Sequence, residues 1–64
     1  LIIPEDLQNA FNQNDLAFQH YLKFSPSYRK SYLYWLNQAK RVETRMVRIA
    51  EIIRLCEQNI KSRP

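Results

Sequence analysis

Residues 42–60 read VETRMVRIAEIIRLCEQNI, and the reading of this stretch decides the fold class. Val42, Met46, Ile49, Ile53, Cys56 and Ile60 recur at spacings of 4, 3, 4, 3 and 4. At about 100° per residue of an α-helix, those six side chains fall on one narrow stripe. The spacing predicts a helix that starts near Arg41–Val42 and packs this apolar seam on its neighbours. The pattern spans too few heptads to be read as a coiled coil. Ile52 and Leu55 lie outside the seam. They are expected either to widen the core contact or to mark where another domain docks.

Working upstream, Ser25-Pro26 is a strong helix start: serine suits the N-cap and proline the first helical position. The helix that follows carries Tyr28, Tyr32, Trp35, Leu36 and Ala39 on one stripe, read as core. Tyr34 falls off that stripe and is expected at the surface or in an interface. Lys40 and Arg41 are expected to close this helix, where cations complement the dipole. Further upstream, Asn12-Gln13-Asn14-Asp15 is a polar break, and Asn14 is placed to cap a helix ending near Phe24. That helix sets Phe18, Tyr21 and Leu22 on one face. A first helix over about Pro4–Asn12 carries Leu7, Ala10 and Phe11, with Glu5 and Asp6 at its positive end. The expected fold is all-α, a compact bundle of three to four helices forming a single domain over 1–64.

A 64-residue chain buries only about 60% of its unfolded surface, enough for one thin core and no deep substrate cavity. With no glycine, the chain lacks the glycine-dependent loops that cradle phosphates or dinucleotides. A single cysteine, Cys56, excludes an internal disulfide and points to a reducing compartment. No apolar run approaches the roughly 20 residues that span a bilayer, and no signal-peptide pattern is present. The chain opens Leu1-Ile2-Ile3-Pro4 without a methionine, so it is expected to be a piece of a longer protein, its C-terminal part. Charge is uneven: residues 1–20 sum to −3 and residues 21–64 to +7. The basic portion suggests an anionic partner: an acidic protein surface, anionic lipid or nucleic acid.

Arg41, Arg45 and Arg48 recur at four and three, which lines them up on one side of the last helix. With Lys40 they form the candidate binding set, as contacts to phosphate or carboxylate groups. The competing reading is structural, with part of the stripe ion-paired to Glu43, Glu51 or the acidic first helix. Glu43 and Thr44 are expected to position the turn, the Thr44 hydroxyl reaching free backbone groups at the helix start. A nucleic-acid-binding module using the basic face of the last helix is the alternative function. Against a helix-turn-helix reader stand the Glu43, Glu51 and Glu57 mixed into that face and a turn without glycine. His20 and Cys56 sit on different helices, and Cys56 reads as inert filling of the seam. Two ligand-type residues do not make a zinc site, which needs about four. No metal, no cofactor and no enzymatic centre is expected.

The run from Phe24-Ser25-Pro26-Ser27-Tyr28 through Tyr32-Leu33-Tyr34-Trp35-Leu36, then Ala39-Lys40-Arg41-Val42-Glu43-Thr44-Arg45 and Arg48-Ile49, resembles the helical domain of the YdeI or OmpD-associated family, also labelled bacteriocin-protection proteins. Ser25, Ser27, Tyr32, Trp35, Ala39, Lys40, Arg41, Glu43, Thr44, Arg45, Arg48 and Ile49 match its pattern, and Pro4-Glu5-Asp6-Leu7 is similar to its usual opening. Val42 departs from it, standing where members often carry proline. The resemblance implies a bacterial, cytoplasmic protein in which this domain follows a small β-rich domain of the same chain. It implies a non-enzymatic interaction role linked to bacteriocin protection or stress resistance. It supplies no binding residues of its own.

Overall fold

The computed structural model describes residues 2–63 and consists of four helices. They are α1 (Glu5–Asn12), α2 (Asp15–Lys23), α3 (Pro26–Asn37) and α4 (Val42–Glu57), so the expected all-α bundle is what forms. The punctuation is local. Asn14 caps α2 by accepting from the Ala17 N–H at 3.1 Å. Pro26 opens α3 after Ser25, whose hydroxyl faces that of Ser27 instead of a backbone N–H. Pro4 stands one place earlier than expected, as the N-cap of α1, with Glu5 and Asp6 in the first turn.

The core draws on every helix. Leu7 and Phe11 of α1 meet Ala17 and Tyr21 of α2, Tyr32, Leu33 and Leu36 of α3, and Ile52, Leu55 and Cys56 of α4. Phe11 lies 5.0 Å from Phe18 and 4.9 Å from Tyr21, centroid to centroid, so one aromatic cluster joins the first two helices. The buried tyrosines keep their hydroxyls satisfied: Tyr32 donates to the Ile60 carbonyl at 2.7 Å and Tyr21 to that of Arg29 at 3.4 Å. Burial pushes both phenols up to about 12.

Three expectations about facing are corrected. On α4 the apolar seam does not turn inward: Val42 is 69% exposed and Met46 64%, Ile49 and Ile53 are half-buried, and Ile60 is at the surface. Of that seam only Cys56 is fully buried, while Ile52 (0% exposed) and Leu55 (1%) occupy the core. The helix is rotated by about 90° from the seam reading at 100° per residue. The inward line is Arg45, Arg48, Ile52 and Leu55, again spaced three and four, with cations in its first half. The reason lies on the neighbouring helix. The first half of α4 passes the C-terminus of α3, whose last carbonyls lack intrahelical partners. Arg48 donates to the Trp35 carbonyl at 2.8 Å, and Arg45 approaches those of Leu36 and Ala39 at 3.4 and 3.5 Å. Inward arginines there satisfy backbone acceptors and complement the negative helix end, which leucines would not do. On α3, likewise, Tyr28 is 40% exposed and Trp35 half-buried, and Leu33 takes the core place assigned to Tyr28. Leu22 of α2 is exposed as well.

After α4 the chain reverses through Asn59, at φ 62° in the left-handed region. The Asn59 N–H donates to the Cys56 carbonyl and the Ile60 N–H to that of Leu55, both at 2.9 Å, the paired bonds of a Schellman stop. Glycine would normally hold this place; asparagine is the L-residue that tolerates it best. Asn59→Ala is expected to cost about 1 kcal/mol and Asn59→Gly to be neutral or mildly stabilising. Equal urea midpoints for the wild type and Asn59→Ala would contradict this.

Candidate functional site

The four candidate cations do not act together. Arg45 runs inward to α1: its Nε donates to Asp6 Oδ2 at 2.7 Å and its second guanidinium nitrogen to Oδ1 at 3.1 Å. The hydrogen bonds from Arg45 hold the Asp6 carboxyl below its ordinary 3.8, against a smaller opposing effect of burial. Arg48 bonds the Trp35 carbonyl while its guanidinium lies 5.1 Å from the centre of the Trp35 ring. Arg45 thus makes the ion pair to the acidic first helix that the structural reading expected, whereas Arg48 is held by a carbonyl and a ring and by no carboxylate among the described residues.

Lys40 and Arg41 sit elsewhere. α3 ends at Asn37, so the two residues do not close it; they lie in the connection, and Arg41 is the N-cap of α4. Ala39 is buried and its N–H donates to the Leu36 carbonyl, which fixes the turn. Both cations are exposed and make no ion pair or side-chain hydrogen bond among the described residues. Glu43 is exposed in the first turn of α4 and Thr44 half-buried, and no side chain caps that helix start.

Two further features were not legible from spacing alone. The segment after Asn59 folds back over α3, placing the Arg63 guanidinium 4.2 Å from the Trp35 ring centre and the Lys61 ammonium 5.8 Å from that of Tyr28. Trp35 is thus contacted by two guanidiniums, one from α4 and one from the chain that follows it. The second is an open groove of about 660 Å³ between α1 and α4, built on Ala10, Met46, Ile49, Ala50 and Ile53. One end is pinned by Asp6–Arg45. The other is pinned by the Asn14 amide, which donates to Glu57 Oε2 at 2.7 Å. Met46, Ile49 and Ile53 of this lining belong to the seam that the sequence placed in the core.

The remaining reactive groups are held inert. Burial pushes the Cys56 thiol up to about 12, so at neutral pH it is a protonated core side chain. His20 Nδ1 lies 2.7 Å from the Cys56 carbonyl, an acceptor, so that nitrogen carries the proton and donates. It contacts the backbone of Cys56 and not its sulfur. Among the described residues no group of three or more His, Cys, Asp or Glu side chains is arranged to hold a metal. No helix among them is long and apolar enough to cross a membrane.

A family model described as bacteriocin-protection, YdeI or OmpD-associated matches residues 1–59. No curated protein and no solved structure matches the chain.

Proposed function

The chain belongs to the bacteriocin-protection, YdeI or OmpD-associated family, and from that premise we propose that this domain is a non-enzymatic interaction module that binds an acidic protein surface through Lys40 and Arg41. One observation carries the reading: of the four cations on this side, Arg45 and Arg48 are committed to the fold, whereas Lys40 and Arg41 are exposed and unpaired among the described residues. They stand where the uncapped N–H groups of α4 add the positive end of a 16-residue helix. Glu43 beside them disfavours a continuous run of phosphates, so an isolated carboxylate patch fits the site better than a nucleic-acid backbone.

The structure also says which variant is informative. Removing Arg45 or Arg48 perturbs the bundle, so the basic stripe is tested by Lys40→Glu/Arg41→Glu alone. In an NMR titration with a short polyglutamate peptide, the amide resonances of residues 39–44 are expected to shift, weakly and with mild salt dependence, since two exposed ion pairs contribute about 1 kcal/mol each at most. The double variant is expected to lose the response while melting like the wild type. Undiminished peptide binding by that variant would reject the site. Duplex DNA bound more tightly than the peptide, with affinity falling steeply with salt, would replace this reading with the nucleic-acid one.

A further inference from the structure

The apolar stripe of α4 has a polarity of its own. Val42 and Met46 stand out from its first half, Met46 flanking the groove, and Ile49, Ala50 and Ile53 line the groove from the middle of the helix onward. The stripe begins beside the unpaired Lys40 and Arg41, with Glu43 in the first turn, and ends at Glu57, which accepts from the amide of Asn14, the residue before exposed Asp15; Arg54 at that end is paired with Glu51. Turning α4 end over end therefore places a ridge over a groove and two cations over two carboxylates. A surface whose two halves complement each other in shape and in charge is self-complementary under a two-fold axis. Side chains as large as Val42 and Met46, exposed together on so small a domain, are also the kind of patch that is normally covered.

We propose that the groove is covered by a second copy of this chain, in a two-fold pairing of antiparallel α4 helices. Met46 of each copy lies over the Ile53 region of the other, and Lys40 and Arg41 of each meet Asp15 and Glu57 of the other. The axis passes between Ile49 and Ala50, where the small alanines Ala10 and Ala50 leave room for the approaching helix. The antiparallel helix dipoles also oppose favourably. This inference rests on the reading of Lys40 and Arg41 as contacts for an acidic protein surface, and it names that surface. A face one 16-residue helix long, about 24 Å, is at the lower edge of specific interfaces, so a weak, reversible dimer is expected.

The test is sedimentation equilibrium at low salt, from about 10 µM to about 1 mM chain. The wild type is expected to rise from 7.8 kDa toward twice that mass, and Met46→Glu is expected to remain monomeric. Lys40→Glu/Arg41→Glu opposes like charges at both contacts, as does Asp15→Lys/Glu57→Lys, so each alone is expected to stay monomeric. An equimolar mixture restores opposite charges at both contacts and is expected to associate at least as well as wild type. Circular dichroism on each variant confirms that it is folded. A wild type that remains at the monomer mass at about 1 mM overturns the dimer. In that case, surviving polyglutamate shifts at residues 39–44 would leave the acidic-partner reading standing with a different chain as partner. Association abolished by Met46→Glu but indifferent to both charge variants would overturn the charge pairing on which the antiparallel register depends.

Discussion

Ile52→Ala is expected to leave little folded protein at 25 °C, while Met46→Ala, on the same helix, is expected to unfold with the wild type. Ile52 is completely buried where α4 meets the other helices. Truncating such a side chain costs about 2–5 kcal/mol through lost transfer energy and the cavity left behind. A domain of this size rarely draws more than about 3–5 kcal/mol from its core, so the loss consumes most of its stability. Met46 is largely exposed and already half hydrated, and its truncation should fall within about 0.5 kcal/mol. Urea denaturation followed by circular dichroism, at about 10 µM chain so that association does not contribute, separates the two. The contrast tests the rotation of α4 directly. Should Met46→Ala prove the more damaging change, the 42–46–49–53 stripe faces the core after all, and the groove and the surface built on it disappear together.

Arg45→Ala should lower stability by about 1–2 kcal/mol, and Asp6→Asn by about half as much. The arginine joins three helices: both Asp6 oxygens on α1, and the Leu36 and Ala39 carbonyls at the end of α3. The carboxylate is 43% exposed, so solvent screens the pair and its coulombic share is modest. The rest for Arg45 is its reach to the Leu36 and Ala39 carbonyls; without it the Leu36 carbonyl keeps its bond from the Ala39 N–H, and the Ala39 carbonyl in the turn is the one that loses a donor. Asp6→Asn keeps the side chain's shape but removes the charge that favours the first turn of α1. The pH dependence supplies the sign. Because the folded state holds Asp6 below its ordinary 3.8, the pair's contribution is fully present above about pH 4 and is lost as the pH falls through the depressed value. Asp6→Asn should therefore flatten the acid limb of the stability profile. What remains includes Glu51, held down in the same direction by its hydrogen bonds from Arg54. A double-mutant cycle showing no coupling between positions 6 and 45 would contradict the pairing.

The elements and their starts were legible because they depend on neighbours in the chain; the end of α3 was not, since Lys40 and Arg41 were expected to close a helix that stops at Asn37. Asn14, Ser25-Pro26 and the polar break at 12–15 act over three or four residues, and the helices stop and start at them to within one position. The aromatic stripe was half legible: Tyr32, Leu36 and Ala39 are buried as expected, but Tyr28 yields its place to Leu33. Periodicity could not decide which of two stripes on α4 faces inward. Scored by hydrophobicity, 42–46–49–53 is the better seam; scored by what it meets, 45–48–52–55 is. The difference is two arginines, which count as outward-facing in any apolar pattern until the carbonyls they satisfy are known.

The candidate site divided along the same line. Spacing placed Arg41, Arg45 and Arg48 on one side of a helix, but only the approach of α1 and the end of α3 separated two structural guanidiniums from the exposed pair at 40–41. By itself the sequence determined an all-helical bundle, its four segments, a cysteine without a nucleophile's surroundings and a basic second half. Those are properties of composition and of contacts three or four residues apart. The rotation of α4, the groove beside α1 and the division of the arginines were decided by tertiary structure alone. Each depends on which unsatisfied backbone groups and side chains arrive from distant parts of the chain, as in the pairing of Asp6 with Arg45, 39 residues apart, and of Asn14 with Glu57, 43 apart.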